Sequence, residues 1–352
     1  MGKKFTILLT LLLVSGSIYA QELFFKGELS TLLDNTEYAG STIGNSRTIF
    51  AVRAVPCLGY RLDKNHSIVI GAELTKDFGS QDFLDSKRFV AYYQFENNSF
   101  GTNVGIFSRE HLIGEYSRAI FSDGFLIYNN LIQGVAFRAT RQRSYAEVVL
   151  DWYGLYSEEC REKFRVLVSG GGEFANIGYA GAAFSMQHYA NKSTFRGNVV
   201  DNIMLNPYIG IKFNAFFDFD IRLGALLSAQ QDRKTDNGWV TPAGGEFLLS
   251  ISRWGAYINN NLYVGQNLMP LYSSTGVDGV QYGDDLYTCD PFYSTTEGIY
   301  NRTGIGYSHS FAKDRVRVTA EVVLHYDGKR LFNQQLLGIQ VFICPKLYSK
   351  KP

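Results

Sequence analysis

Along most of the chain, apolar and polar residues alternate with a period of two. From Leu23 to Leu33 the odd positions are Leu, Phe, Gly, Leu, Thr and Leu, and the even positions beside them include Glu22, Lys26, Glu28 and Ser30. Between Arg47 and Leu62, Phe50, Val52, Ala54, Leu58, Tyr60 and Leu62 oppose Arg47, Arg53 and Arg61. Val148, Leu150 and Trp152 oppose Glu147 and Asp151. Phe217, Phe219, Ile221, Leu223, Ala225 and Leu227 oppose Asp218, Asp220, Arg222 and Ser228. Val316, Val318, Ala320, Val322, Leu324 and Tyr326 oppose Arg317, Glu321 and His325. A period of two is that of an extended strand, here with one apolar and one ionic face.

The pattern predicts about sixteen strands, starting near residues 22, 46, 66, 88, 99, 131, 144, 161, 177, 202, 216, 244, 256, 299, 315 and 331. A glycine-rich run between Gly170 and Ala190 blurs one turn, so fourteen or eighteen strands stay open. Tight turns are expected at Asp63–Asn65, Glu96–Asn98, Thr140–Arg143, Asn214–Ala215, Arg253–Gly255 and Ala312–Asp314. Between them lie mostly longer connections, at Asp34–Asn45, Lys76–Ser86, Glu110–Asn130, His188–Asp201, Gln231–Thr241 and Gln266–Gly298. Short and long connections thus alternate, as in barrels with tight periplasmic turns and large external loops.

Met1–Ala20 reads as a secretory signal: Lys3 and Lys4 precede the apolar run Ile7–Val14, and small residues end at Ala20. The run is too short to span a bilayer as a helix. No later stretch approaches 18 apolar residues, so residues 21–352 are expected to form one all-β domain. The 352 residues are 45% hydrophobic and 15% aromatic, which excludes a disordered chain. Lys plus Arg (34) against Asp plus Glu (33) supplies no basic field for nucleic acid. Cys57, Cys160, Cys289 and Cys344 show no C-x-x-C or Cys/His metal spacing. Cys160 and Cys289 both fall in expected external loops and are expected to pair. Cys57 and Cys344 lie two strand spacings apart, beyond disulfide reach.

Aromatic residues cluster at the tight turns: Tyr60, Phe95 with Phe100, Phe213 with Phe217, Trp254 with Tyr257, and Phe311. Rings at this height match an interfacial girdle. The leader, the alternating strands, the loop rhythm and the girdle together resemble a Gram-negative outer-membrane β-barrel of the porin type, in a style similar to barrels of the Bacteroidetes. The resemblance covers the whole mature chain and is architectural. It implies a closed antiparallel transmembrane β-barrel in the outer membrane, inserted by the barrel assembly machinery and surrounded by outer-membrane lipids. One departure is the C-terminus: such barrels usually end on an aromatic residue, whereas here Phe342 is followed by Ile343–Pro352.

A closed sheet pairs its own backbone and can sit in hydrocarbon, while inward charges need water or partners. Sixteen strands leave room for an aqueous channel. Expected pore-lining residues are Arg53, Arg138, Glu147, Asp151, Arg165, Asp218, Asp220, Arg222, Glu246 and Tyr257. Arg47, Arg53, Arg61, Arg138 and Arg165 would form a basic wall, and Glu147, Asp151, Asp218, Asp220 and Glu246 an acidic one. Alternatively, these charges ladder between neighbouring strands. Tyr92, Tyr145, Tyr153, Tyr208, Tyr257 and Tyr263 are also expected to point inward, where they pack structurally or, alternatively, stack on sugar rings. Gln266–Gly298 would constrict the pore if folded inward or bind a surface partner if folded outward, and Glu110–Asn130 is a second constriction. Acids in the longer loop match no calcium-loop spacing, so no metal and no cofactor are expected. Ser185 and His188 stand three apart, but no G-x-S-x-G or H-E-x-x-H occurs, and no catalytic residue is assigned. The expectation is a porin-like channel for passive diffusion of small hydrophilic solutes, with homo-oligomerisation open. The alternatives are a non-conducting barrel anchoring a surface lipoprotein or secretion complex, and a membrane-embedded hydrolase.

Overall fold

A computed structural model describes residues 22–41, 44–194, 199–234, 238–343 and 346–349. The expected leader at 1–20 and Cys344 lie outside the described residues. Sixteen antiparallel strands follow one another: β1 (Glu22–Glu37), β2 (Arg47–Arg61), β3 (His66–Asp77), β4 (Ser86–Glu96), β5 (Phe100–Ser108), β6 (Leu131–Arg141), β7 (Ser144–Gly154), β8 (Lys163–Phe174), β9 (Gly178–Ala190), β10 (Val199–Asn214), β11 (Asp218–Asp232), β12 (Ala243–Arg253), β13 (Ala256–Gly265), β14 (Ile299–Phe311), β15 (Val316–Tyr326) and β16 (Leu331–Ile343). Each start lies within three residues of its expected position. β1 closes the ring, pairing with β2 from Glu22↔Arg61 to Thr36↔Arg47 and with β16 from Gly27↔Ile343 to Glu37↔Asn333. A short β17 (Lys346–Ser349) pairs with the first residues of β1. Among the described residues no helix is long and apolar enough to cross a membrane.

Connections at one end, from 62–65 to 312–315, have two to four residues; those at the other have four to thirty-three. Local side-chain chemistry explains the short end. Asp63 accepts from the backbone N–H of Asn65 and His66 (2.8 and 2.9 Å), and Asn97 does the same for Ser99 and Phe100. Trp254 (φ 52°) and Gly255 (φ 88°) make a two-residue turn of the type that matches strand twist. The blurred turn resolves at residues 175–177, where β8 ends and β9 begins.

The alternation sorts as expected on the outside. Phe50, Leu58, Phe137, Val148, Ile209, Leu223 and Val322 are all exposed on the outer face. At the short end Tyr60, Phe95, Phe100, Phe213, Phe217, Trp254 and Phe311 ring the barrel, but Tyr257 turns inward and donates to Glu321 (3.1 Å). The inner face differs from a purely ionic lining. Val69, Val90, Phe107, Ile132, Val149, Leu167, Leu226 and Val323 point inward and are 2% exposed or less. All of these but Val323 cluster with residues of the long connections that enter the barrel.

Inward tyrosines lie flat across glycines of neighbouring strands. A Cβ at Gly181 would stand 2.4 Å from Tyr208 Oη, and one at Gly306 would stand 2.4 Å from Tyr257 Cζ. Glycine within a strand marks such close approach. Gly181→Val is therefore expected to cost about 1–3 kcal/mol by overpacking, lowering the temperature at which folded gel migration is lost. Adding Tyr208→Ala restores part of that loss.

Candidate functional site

The site is built inside the barrel by two long connections, 109–130 between β5 and β6 and 266–298 between β13 and β14. Both fold inward. The first carries a short helix α1 (Asp123–Tyr128), which starts at Ser122, whose hydroxyl caps Phe125 N (3.1 Å). The second carries α2 (Gly283–Leu286) and a 3-10 turn at Pro291–Ser294. The two interlock through backbone groups: Ser122 N donates to Thr288 O (2.7 Å), Asp290 N to Arg118 O (3.1 Å), and Thr288 Oγ1 to Ile120 O (2.7 Å).

Irregular backbone buried in a barrel must find polar partners, because an unmet N–H or C=O is costly. The inward charges supply them. Glu147 accepts from Ile113 N (2.7 Å), Gly114 N (3.1 Å) and Tyr116 Oη (2.8 Å). Asp151 accepts from Arg109 (2.5 Å) and Gln133 N (3.0 Å). Glu246 holds Ser117 Oγ (2.9 Å), Tyr293 Oη (2.6 Å) and Asn261 (3.3 Å). Arg138 reaches His111 O (2.6 Å) and Asn103 (2.6 Å), and pairs with Glu96 (3.2 Å). Arg222 pairs with Glu115 (2.6 Å), and Arg53 with Glu28 (2.9 Å) and Glu110 (3.5 Å). Arg165, 1% exposed, donates to Gln187 (2.8 Å) and Thr288 (3.3 Å) and lies over the rings of Phe121 and Phe125.

Seven of the ten residues expected to line a pore thus hold the inward connections: Arg53, Arg138, Glu147, Asp151, Arg165, Arg222 and Glu246. Asp220 stays on the wall, bound by Tyr179 (2.5 Å) and Lys212 (3.5 Å). Asp218 is exposed at the short rim beside Asn214, and Tyr257 meets Glu321. The charges do not separate into opposing walls. Arg138 faces Glu147 and Arg165 faces Asp151 on adjacent strands, so unlike charges neighbour one another.

A cavity of about 490 Å³, lined among others by Arg53, Glu110, Asn130 and Gln340, lies against the first connection, and two further water-accessible cavities flank the interlock. One of about 940 Å³, toward the long connections, is lined among others by Arg47, Arg88, Arg109, Asp123, Arg165 and Asp284. The other, about 210 Å³ toward the short turns, is lined among others by Glu115, Arg118, Asp220, Arg222, Asn261 and Arg302. Arg118 and Arg302 meet Asp123 between them, at 3.0 and 3.5 Å. Burial raises the cost of the Asp123 charge, but these guanidiniums outweigh it and hold the carboxyl below its ordinary range. This three-residue septum was missed in sequence. The only local signal was Ser122-Asp123-Gly124, which marks a helix start and says nothing of a partner on β14.

The expected Cys160–Cys289 bridge is absent, because both thiols are free. Cys160 Sγ stays at the rim, 3.4 Å from Arg161 O, whereas Cys289 travels inward with its connection and packs beside the cluster containing Met269, Tyr282 and Tyr287. Burial pushes the Cys289 thiol well up from its ordinary value. Ser185 and His188 lie on opposite faces of β9 and do not meet. On unfolding, both Cys160 and Cys289 should alkylate without prior reduction, as intact mass would record. Glu147→Ala leaves three donors unmet, about 1–3 kcal/mol, so hydrogen exchange at residues 113–116 should quicken by about tenfold to a hundredfold.

Among solved structures, OccK11 (OpdR) of Pseudomonas aeruginosa aligns with a TM-score of 0.54 at 7% identity, covering 93% of this chain and 98% of that one. A loop L8 deletion mutant of OmpT, an outer-membrane protein of Vibrio cholerae, aligns with 0.55 at 13% identity, covering 92% and 100%. OccD1 (OprD), as a double mutant, aligns with 0.50 at 8% identity, covering 94% and 97%. These likenesses identify the fold as a porin-type outer-membrane barrel. No match was found among curated proteins. A family model described as Lipid A 3'-O-deacylase-type matches residues 16–333, most of the chain. The chain therefore belongs to the Lipid A 3'-O-deacylase-type family.

Proposed function

We propose that this barrel sits in the outer membrane and passes small hydrophilic solutes by passive diffusion through a lumen narrowed to an ion-pair septum. The observation that carries the reading is the pair of polar cavities on either side of Arg118, Asp123 and Arg302. A barrel built only as a scaffold has no need of charged vestibules on both sides of an ion-paired cluster. Charges of both signs at the partition would orient dipolar solutes while giving little net ion selectivity.

A second reading, hydrolysis of an acyl ester of a lipid, is favoured by family membership. Under that reading the filled interior serves as a rigid support, and chemistry takes place at the outer surface.

Planar-bilayer recording separates the two. The wild-type barrel should give small, stable openings. Asp123→Ala, which removes the shared partner of both arginines, should raise conductance several-fold, as should deletion of Gln266–Gly298. A silent wild type and a silent Asp123→Ala variant, together with release of fatty acid from acylated lipid A in detergent, would replace the channel with the hydrolase. The sign of the pH effect follows from Asp123. Its carboxyl is depressed, so the ion pairs are intact above the ordinary carboxylate range and are lost only as pH falls below it. Conductance should therefore be flat between about pH 5 and 8 and rise in stronger acid.

A further inference from the structure

Of the arginines buried among the described residues, Arg165 alone has no carboxylate within 4 Å. Arg109 pairs with Asp151, Arg138 with Glu96, Arg161 with Asp278, and Arg302 with Asp123 and Glu321. Asp151 stands opposite Arg165 in register, but its two oxygens are taken by Arg109 and by Gln133 N. Two guanidiniums therefore share one carboxylate, and one positive charge is left over. A buried charge without a counter-ion is costly. Gln187 and Thr288 accept from Arg165 Nη2 without neutralising it. Both guanidinium carbons lie over the rings of Phe121 and Phe125, at 5.0 and 5.1 Å for Arg165 and 5.4 and 5.3 Å for Arg109. Such rings attract a cation but carry no net charge.

The unused donors converge. Nε and Nη1 of Arg165, Nη1 of Arg109 and Oη of Tyr153 are buried and have no hydrogen-bond partner among the described residues. All three residues line the cavity of about 940 Å³ on the long-connection side, and Arg165 lies over the Tyr153 ring at 5.6 Å. Tyr153 faces inward from β7 and Arg165 from β8, while Arg109 opens the first inward connection. Water satisfies such donors but leaves the charge uncompensated, whereas an anion does both. The rest of the lining limits that anion. Asp123 is held by Arg118 and Arg302, and Asp285 by Lys163. Asp34 and Asp290, also buried in the lining, have no cation within 4 Å among the described residues. A second negative charge on the ligand would be repelled there. A carboxylate carries one charge and about four acceptor positions, which matches one surplus charge and four unused donor atoms.

We propose that Arg165, Arg109 and Tyr153 bind the carboxylate of a small, singly charged hydrophilic solute in this cavity. The two guanidiniums donate to its oxygens, and the Tyr153 hydroxyl adds a third donor. The inference deepens the channel reading by naming the class of solute, and rests on it for the solute's onward passage. Binding itself is read without conduction.

Isothermal titration of sodium glycolate into the detergent-solubilised barrel, at constant ionic strength in chloride, should show one saturable site. Glycolamide, its neutral isostere, should show none. Tyr153→Phe, which keeps the ring, and Arg165→Lys, which keeps the charge and loses donors, should each weaken glycolate about tenfold. Heat-modifiable migration checks that each variant is folded. Arg165 also holds Thr288, so if its variant does not fold, Tyr153→Phe carries the test. Tyr153→Glu supplies the anion from the wall itself; it should abolish glycolate binding and raise the temperature at which folded migration is lost. Wild-type affinity in the folded variants, or equal binding of glycolamide, would overturn the site. Tighter binding of sulfate than of glycolate would overturn the single carboxylate as its ligand. Saturable glycolate binding in a barrel that is silent in planar bilayers would overturn the channel and leave the site standing.

Discussion

Closure of the sheet is the constraint on which everything else in this molecule rests. Because β1 bonds to both β2 and β16, no strand edge remains in the ring, and the backbone is satisfied without water. The outer face is then free to be apolar from strand to strand. The inner face becomes the main place where charge can be kept, provided that each charge finds a partner.

The partners come from the chain itself. Two connections enter the lumen carrying backbone N–H groups that strand pairing cannot satisfy, and Glu147, Asp151 and Glu246 receive them or the side chains around them. The arrangement is mutual: wall carboxylates would be unstable in a dry interior without donors, and the entering backbone would be unstable without acceptors. Hydrogen bonds to charged groups are worth about 1.5–3 kcal/mol each, so a few such contacts suffice to hold a long connection in place. The apolar inward residues, such as Phe107, Ile132 and Leu226, supply the packing between these polar anchors. The spaces left open include two cavities divided by Arg118, Asp123 and Arg302.

The outer wall follows a different logic. There the register of adjacent strands, through Phe164↔His188 and His188↔Asp201, lines up residues far apart in the chain at one height above the apolar belt. Ser185 and His188, three apart in sequence, are separated by the wall itself. Proximity along a strand is thus a poor guide to chemistry in a barrel, and position across strands is a good one.

By itself the sequence determined the strands, their starts, the outward faces and the turn chemistry, because a period of two and the local bonding of Asp63 or Asn97 are short-range properties. It also identified which charges face inward, since parity along a strand needs no knowledge of its neighbours. Only the tertiary structure decided what those charges meet. The inward path of residues 109–130 and 266–298 depends on contacts between segments more than a hundred residues apart, such as Ser117 with Glu246 and Asp123 with Arg302. The same path carries Cys289 away from Cys160 and brings two arginines onto one aspartate. Such long-range pairings leave no periodic trace in the chain, because they are selected by the shape of the closed ring.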